Sequence, residues 1–135
     1  MQSEEICQSV ETKVGIIRGR SSLFLDTLDY RDNALFLYGS LHSSRSPGEE
    51  PKDLYYTIIF RDVLAFQMLE LDTWIASDWS ENRESSFDEV VNSVWIAKLG
   101  GKAESDKNKH YSFRTYDAVF DVVCRKYELQ LRKEV

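Results

Sequence analysis

His42 and His110 are the chain's two histidines. They are the starting point for proton-transfer chemistry, because imidazole titrates near neutrality without help. Ser40 lies two residues before His42 in "YGSLHS". Residues two apart on a strand share a face, so the pair has the spacing of a nucleophile and its base. His110 follows a lysine-rich loop. With His42 it would suit acid–base cleavage of a phosphodiester, with Lys107, Lys109 and Arg114 as phosphate anchors. The plainer reading makes Ser40 and His42 the polar edge of a hairpin and both histidines exposed residues at strand ends. Catalytic groups are normally assembled from distant segments. There is no Gly-x-Ser-x-Gly elbow, and "LGGK" is too short to be a phosphate loop.

The acids invite a second chemistry. "ELDTWIASDWSENRESSFDE", Glu70 to Glu89, holds seven carboxylates and one arginine. Asp72, Asp78, Glu81 and Glu84 would surround a hard cation such as calcium. The stretch lacks the alternating ligands and central glycine of a calcium-binding loop. A solvated acidic loop is the simpler account, so no metal and no cofactor is expected. Cys7 and Cys124 are too few and too distant for a disulfide framework or a zinc site.

Charge distribution carries more information. Seven of the 23 acids and one of the 17 bases fall between Glu70 and Glu89, leaving sixteen of each sign elsewhere. The whole net charge of −6 therefore sits in this segment. Nucleic-acid binding needs a net positive face, so it is not expected. A concentrated negative patch instead speeds encounter with a basic partner. Trp74 and Trp79 lie among these acids, and Trp79 has no apolar neighbour in "SDWSEN". An aromatic anchor inside a charged rim is the composition of a binding hot spot. Asp72, Trp74, Asp78, Trp79, Glu81 and Glu84 are thus the candidate partner-binding residues. The plainer reading lets each Trp plug the edge of the core. Trp95, in "SVWIAK", reads as core.

Elements must position these groups. The first 12 residues are polar and read as loose, and "VGIIRG" as a short strand. "SLFLDTLDYRDNALFLYGSLHSS" reads as two strands around a turn at Tyr30–Ala34, where Asp and Asn supply turn chemistry. Ser43–Asp53 carries both prolines and reads as a loop. Leu54–Phe60 reads as a central strand, followed through a short turn at Arg61–Asp62 by a second. Ser86 and Glu89 form a capping-box pattern, and Phe87, Val90, Val91 and Val94 have helical spacing, so Ser86–Val94 reads as a short helix. Gly100–Lys109 reads as a flexible loop. Tyr111 and Phe113 suggest a strand. Tyr116, Val119, Phe120 and Val123 suggest a helix, and Tyr127, Leu129 and Leu131 a final strand. "YYTIIFRDVLAFQMLEL" and "HYSFRTYDAVFDVVCRKYELQL" echo one another faintly, as if one hairpin-like unit occurred twice.

Many short strands without long intervening helices predict an antiparallel architecture. The fold class expected is α+β with β dominant: a curved or sandwiched antiparallel sheet carrying one or two short helices. The chain's 135 residues suit a single domain. No apolar run approaches the roughly 18 residues of a bilayer span, and the first residues lack a signal-peptide pattern. A soluble, cytoplasmic protein is expected.

In its single-domain character, its local acidity at Glu70–Glu89 and its lack of catalytic motifs, the chain resembles the small acidic immunity proteins of bacterial polymorphic-toxin and contact-dependent inhibition systems. "HYSFRTYDAVFDVV" is similar to stretches in bacterial single-domain proteins. The resemblance implies a non-enzymatic inhibitor that binds a basic toxin domain and occludes its active site. The alternatives are a small hydrolase or nuclease using His42 or His110, and a structural, oligomerising domain.

Overall fold

The structure is a computed structural model and describes residues 5–13, 15–17, 23–43, 52–70 and 85–133. Its strands are β1 (Ile6–Ser9), β2 (Glu11–Thr12), β3 (Gly15–Ile16), β4 (Leu23–Arg31), β5 (Ala34–Ser43), β6 (Lys52–Arg61), β7 (Ala65–Glu70), β8 (Phe87–Val91), β9 (Lys109–Arg114), β10 (Ala118–Cys124) and β11 (Lys126–Arg132). One short helix, α1 (Val94–Leu99), lies between β8 and β9. The fold is β-dominant α+β. A five-stranded sheet in the order β1-β8-β9-β10-β7 packs on a four-stranded sheet in the order β11-β6-β5-β4, and β2 with β3 makes a minor ladder. Every pairing among the described strands is antiparallel.

The hairpin expected at Tyr30–Ala34 is β4–β5. Asp32 and Asn33 both have positive φ, 52° and 60°. A two-residue type I′ turn demands this, and Asp and Asn tolerate it. Beyond the turn, Leu35 and Leu37 are fully buried. A bulge between Leu25 and Thr27 shifts the register of β4. It keeps Leu23 on the core side before the bulge and Leu28 and Tyr30 on that side after it; a one-residue slip would otherwise reverse them. Gly39 sits opposite Leu25. A Cβ there would collide with the Phe24 carbonyl and the Tyr56 ring end, because the Tyr56 hydroxyl donates to Phe24 O at 2.8 Å. Glycine permits that close approach.

The strands expected at Leu54–Phe60 and after Asp62 are both present, but they do not pair with each other. The chain turns at Asp62, φ 56°, and passes from one sheet to the other. Val63 N–H donates to Asn33 O and Leu64 N–H to Val123 O, both at 2.8 Å. β7 then pairs with β10. The chain returns between β10 and β11, where Arg125 N–H donates to Arg61 O at 3.1 Å. Two adjacent corners therefore join the sheets. The two halves of the sequence echo differ in structure: the first is two strands joined by one crossing between sheets, whereas the second adds the β9–β10 hairpin before its own crossing to β11.

Aromatic rings fill the space between the sheets. Phe60 meets Phe87 edge-on at 6.1 Å and Tyr111 at 5.8 Å, and Tyr56 meets Phe113 at 5.9 Å. Such tilted geometries suit the ring quadrupoles.

Several expectations are corrected. Ser86–Val94 is not a helix: Phe87–Val91 is β8, held between β1 and β9. Ser86 does not cap; its N–H donates to Ile17 O at 2.7 Å. Tyr116–Val123 is not a helix either. All seven residues of β10 are buried, and a strand covered on both faces has a continuous apolar run that mimics helical spacing. Among the described residues the one α-helix begins later, at Val94, capped by Ser93, whose Oγ accepts Ile96 N–H at 3.1 Å. Gly101–Glu104 forms a 3₁₀ turn with Ala103 buried, inside the stretch expected as a flexible loop. Trp95 is half-buried rather than central to the core. Ser43 ends β5, and Lys52 and Asp53 begin β6; the rest of that expected loop lies outside the described residues. Ile6–Ser9, within the stretch read as loose, pairs with β8. Among the described residues no helix is long and apolar enough to cross a membrane.

Candidate functional site

Tyr111 and Phe113 of β9 point into the core, so alternation sends His110, Ser112 and Arg114 to the other face of the five-stranded sheet. On β10, Phe120 and Val122 point inward and Asp121 outward. Asp88 stands beside Ser112, and Ser112 beside Asp121. A polar row thus crosses three strands. Each member is almost wholly buried: Asp88 2%, His110 0%, Ser112 1%, Arg114 2% and Asp121 1% exposed.

Buried acids need partners, and β9 supplies them. Arg114 Nη2 donates to Asp88 Oδ2 at 2.8 Å. His110 Nε2 lies 2.8 Å from Asp121 Oδ1, and His110 Nδ1 lies 2.7 Å from Ser93 Oγ. With Asp121 as acceptor, Nε2 carries a proton; in the neutral imidazole Nδ1 accepts the Ser93 hydroxyl. Trp95 packs edge-on against the imidazole at 5.3 Å. No donor among the described residues reaches Asp121 Oδ2, although it is buried.

A Ser–His–Asp chain has the composition of an acyl-transfer triad. Its geometry differs in three ways. In the working triad the carboxylate holds Nδ1 and the serine faces Nε2; these contacts are exchanged. The imidazole is fully buried and Ser93 is 8% exposed. The Ser93 oxygen already accepts Ile96 N–H, and the next amide, Val94 N–H, donates to Glu5 Oε2 at 2.7 Å. The chain of bonds anchors the start of α1 to β9 and β10. A groove of about 610 Å³ runs beside it, lined in part by Ser93, Val94, Ala97, Glu104, Asn108 and Lys109.

His110 therefore departs from the expected exposed strand-end histidine. Of the expected phosphate anchors, Arg114 is buried against Asp88, whereas Lys107 and Lys109 are exposed, Lys109 lying 3.5 Å from Glu89. The backbone of His42 pairs with Asp53, but its side chain lies outside what is described, so its relation to Ser40 does too. Asp72, Trp74, Asp78, Trp79, Glu81 and Glu84 all lie outside the described residues, as does the cation site imagined among them. At the ends of the acidic segment, Glu70 is exposed, Ser85 and Ser86 are buried, and Asp88 and Glu89 are bonded to Arg114 and Lys109.

Sequence reasoning missed Ser93, Asp88, Ser112 and Asp121 as one assembly. Two signals were available. "HYSFR" alternates polar and aromatic residues over a full strand. Asp121 stands alone in "AVFDVVC", and an acid in a continuous apolar run signals a buried charge with a partner. Compared with known proteins, the chain matches no family model, no curated protein and no solved structure.

Proposed function

We propose that the protein is a non-enzymatic binding domain that neutralises a basic protein partner in the cytoplasm, as immunity proteins neutralise toxins. The observation that carries this is the confinement of the net charge of −6 to Glu70–Glu89. Within that segment Asp88 and Glu89 are bonded to cations of the sheet. That leaves Glu70, Asp72, Asp78, Glu81 and Glu84 against Arg83, which is the larger part of the net negative charge and lies beside Trp74 and Trp79 in the sequence. Acids leading off an edge strand steer a cationic partner from a distance, and tryptophans supply apolar anchors.

The test uses the basic domain encoded by the neighbouring reading frame and titration calorimetry at two salt concentrations. Lysine at Asp72, Asp78, Glu81 and Glu84 together weakens binding at least tenfold and flattens its salt dependence, while the melting temperature holds. Trp79→Ala weakens binding at either salt concentration. Unchanged affinity and salt dependence in these variants would remove the segment from the mechanism.

A hydrolase reading draws on the Ser93–His110–Asp121 alignment. The burial of the imidazole and the exchanged nitrogens weigh against it. A hydrolytic activity that survives His42→Ala with His110→Ala would reject the histidine chemistry.

A further inference from the structure

We infer that the cleft between the outer strands β4 and β7 is a docking surface for an extended, basic segment with alternating apolar side chains. This rests on the reading of the protein as a binder of a basic partner and gives that partner a seat.

Among the described strands both end their sheets, and rings from the two meet. Tyr30 and Phe66 are 5.2 Å apart between ring centroids. At the other end Phe24 and Tyr116 are 5.5 Å apart, and Tyr116 N–H donates to Leu23 O at 2.7 Å. Register shows which side chains face the cleft. Leu28 and Tyr30 stand beside the core residues Leu37 and Leu35, and Phe66 and Met68 beside Val122 and Phe120. Residues facing inward between two sheets are normally covered. Instead Leu28 is 38%, Tyr30 45% and Met68 56% exposed, and Leu64, just before β7, is 46% exposed.

Charge names the occupant. Asp26, Asp32, Asp62, Glu70 and Asp117 are exposed around this apolar strip. Arg31, the cation carried by β4, is bonded to Asp29 at 3.2 Å, and β7 carries no cation. An apolar floor with an acidic rim complements a strand that alternates Lys or Arg with apolar residues. The bulge in β4 blunts that edge. β7 keeps an unbroken register against β10, and among the described strands none pairs with its outer edge. Strand addition to β7 supplies main-chain hydrogen bonds, and the cleft receives alternate side chains.

The probe is a short capped peptide of alternating lysine and valine, titrated into the full isotope-labelled chain and followed by amide and methyl chemical shifts. A glutamate–valine peptide is the control. The expected result is saturable shifts at Leu28, Leu64, Met68 and the β7 amides with the lysine peptide alone, weakened at least tenfold by Met68→Lys. Met68 is exposed, so the variant's amide spectrum verifies that the fold is kept. Shifts confined to Asp72–Glu84 would overturn the cleft and leave the basic-partner reading standing. Equal binding of the glutamate peptide in the cleft would overturn the charge complementarity and that reading with it. No shift with either peptide would overturn the docking surface, while the calorimetric test decides the reading separately.

Discussion

Ser93→Ala isolates the bond chain that joins α1 to the sheet. The hydroxyl performs two tasks: it accepts Ile96 N–H at 3.1 Å and meets His110 Nδ1 at 2.7 Å. Loss of an N-cap costs about 1 kcal/mol. A fully buried ring nitrogen left without its partner costs about 1–3 kcal/mol. The variant should lose about 2–4 kcal/mol, a large part of the ~5–15 kcal/mol typical of a domain. With a urea slope of about 2 kcal/mol per molar, the midpoint falls by about 1–2 M. Urea unfolding followed by far-UV circular dichroism measures it, and tryptophan emission reports locally through Trp95 against His110. Ser93→Thr keeps an oxygen in place and should recover most of the loss. A cycle with His110→Leu should show coupling of about 0.5–3 kcal/mol, since the two residues share one bond. If Ser93→Ala moves the midpoint by less than about 0.25 M, the hydroxyl does not hold the imidazole and the anchoring role is wrong.

Arg114→Met leaves the Asp88 carboxylate buried without its guanidinium, and should cost about 3–5 kcal/mol in the same urea assay. Adding Asp88→Leu should restore much of it; a double variant no better than the single one would show that Arg114 acts through packing alone. Burial pushes the Cys124 thiol up from 9.0 to about 12. Its contribution to stability is complete below pH 9, where both folded and unfolded thiols are protonated, and is lost as pH rises toward 12 and only the unfolded thiol ionises. In a Cys7→Ser background, native Cys124 should resist a thiol reagent at pH 8 until denaturant is added, and prompt modification of the folded variant would contradict this.

Local chemistry made part of the fold legible. Asp32 and Asn33 announced the β4–β5 turn because few residues accept two successive positive φ angles. Leu54–Phe60 was readable as a strand from its β-branched and aromatic content. Fold class followed from such pieces. Ser86 and Glu89 misled because a capping box is a statement about local hydrogen bonds, whereas β8 answers to β1 and β9 on either side. Val119, Phe120 and Val123 misled for a related reason: β10 is buried on both faces, so its apolar run carries no clean period. His110 looked exposed because lysines precede it. Its burial depends on Ser93, Trp95 and Asp121, none of which is its neighbour in the chain.

The linear order of residues determined composition, the placement of the whole net charge between Glu70 and Glu89, the turn at Asp32–Asn33 and the predominance of strands. These follow from covalent neighbours and from sums over residues. Tertiary structure alone decided that β6 and β7 part into different sheets, that Asp88, His110, Ser112, Arg114 and Asp121 form one buried row, and that Leu28 and Met68 face a cleft yet stay exposed. Strand register and sheet order set those facts, and they are fixed by contacts between segments far apart in the chain, whose energies no local pattern records.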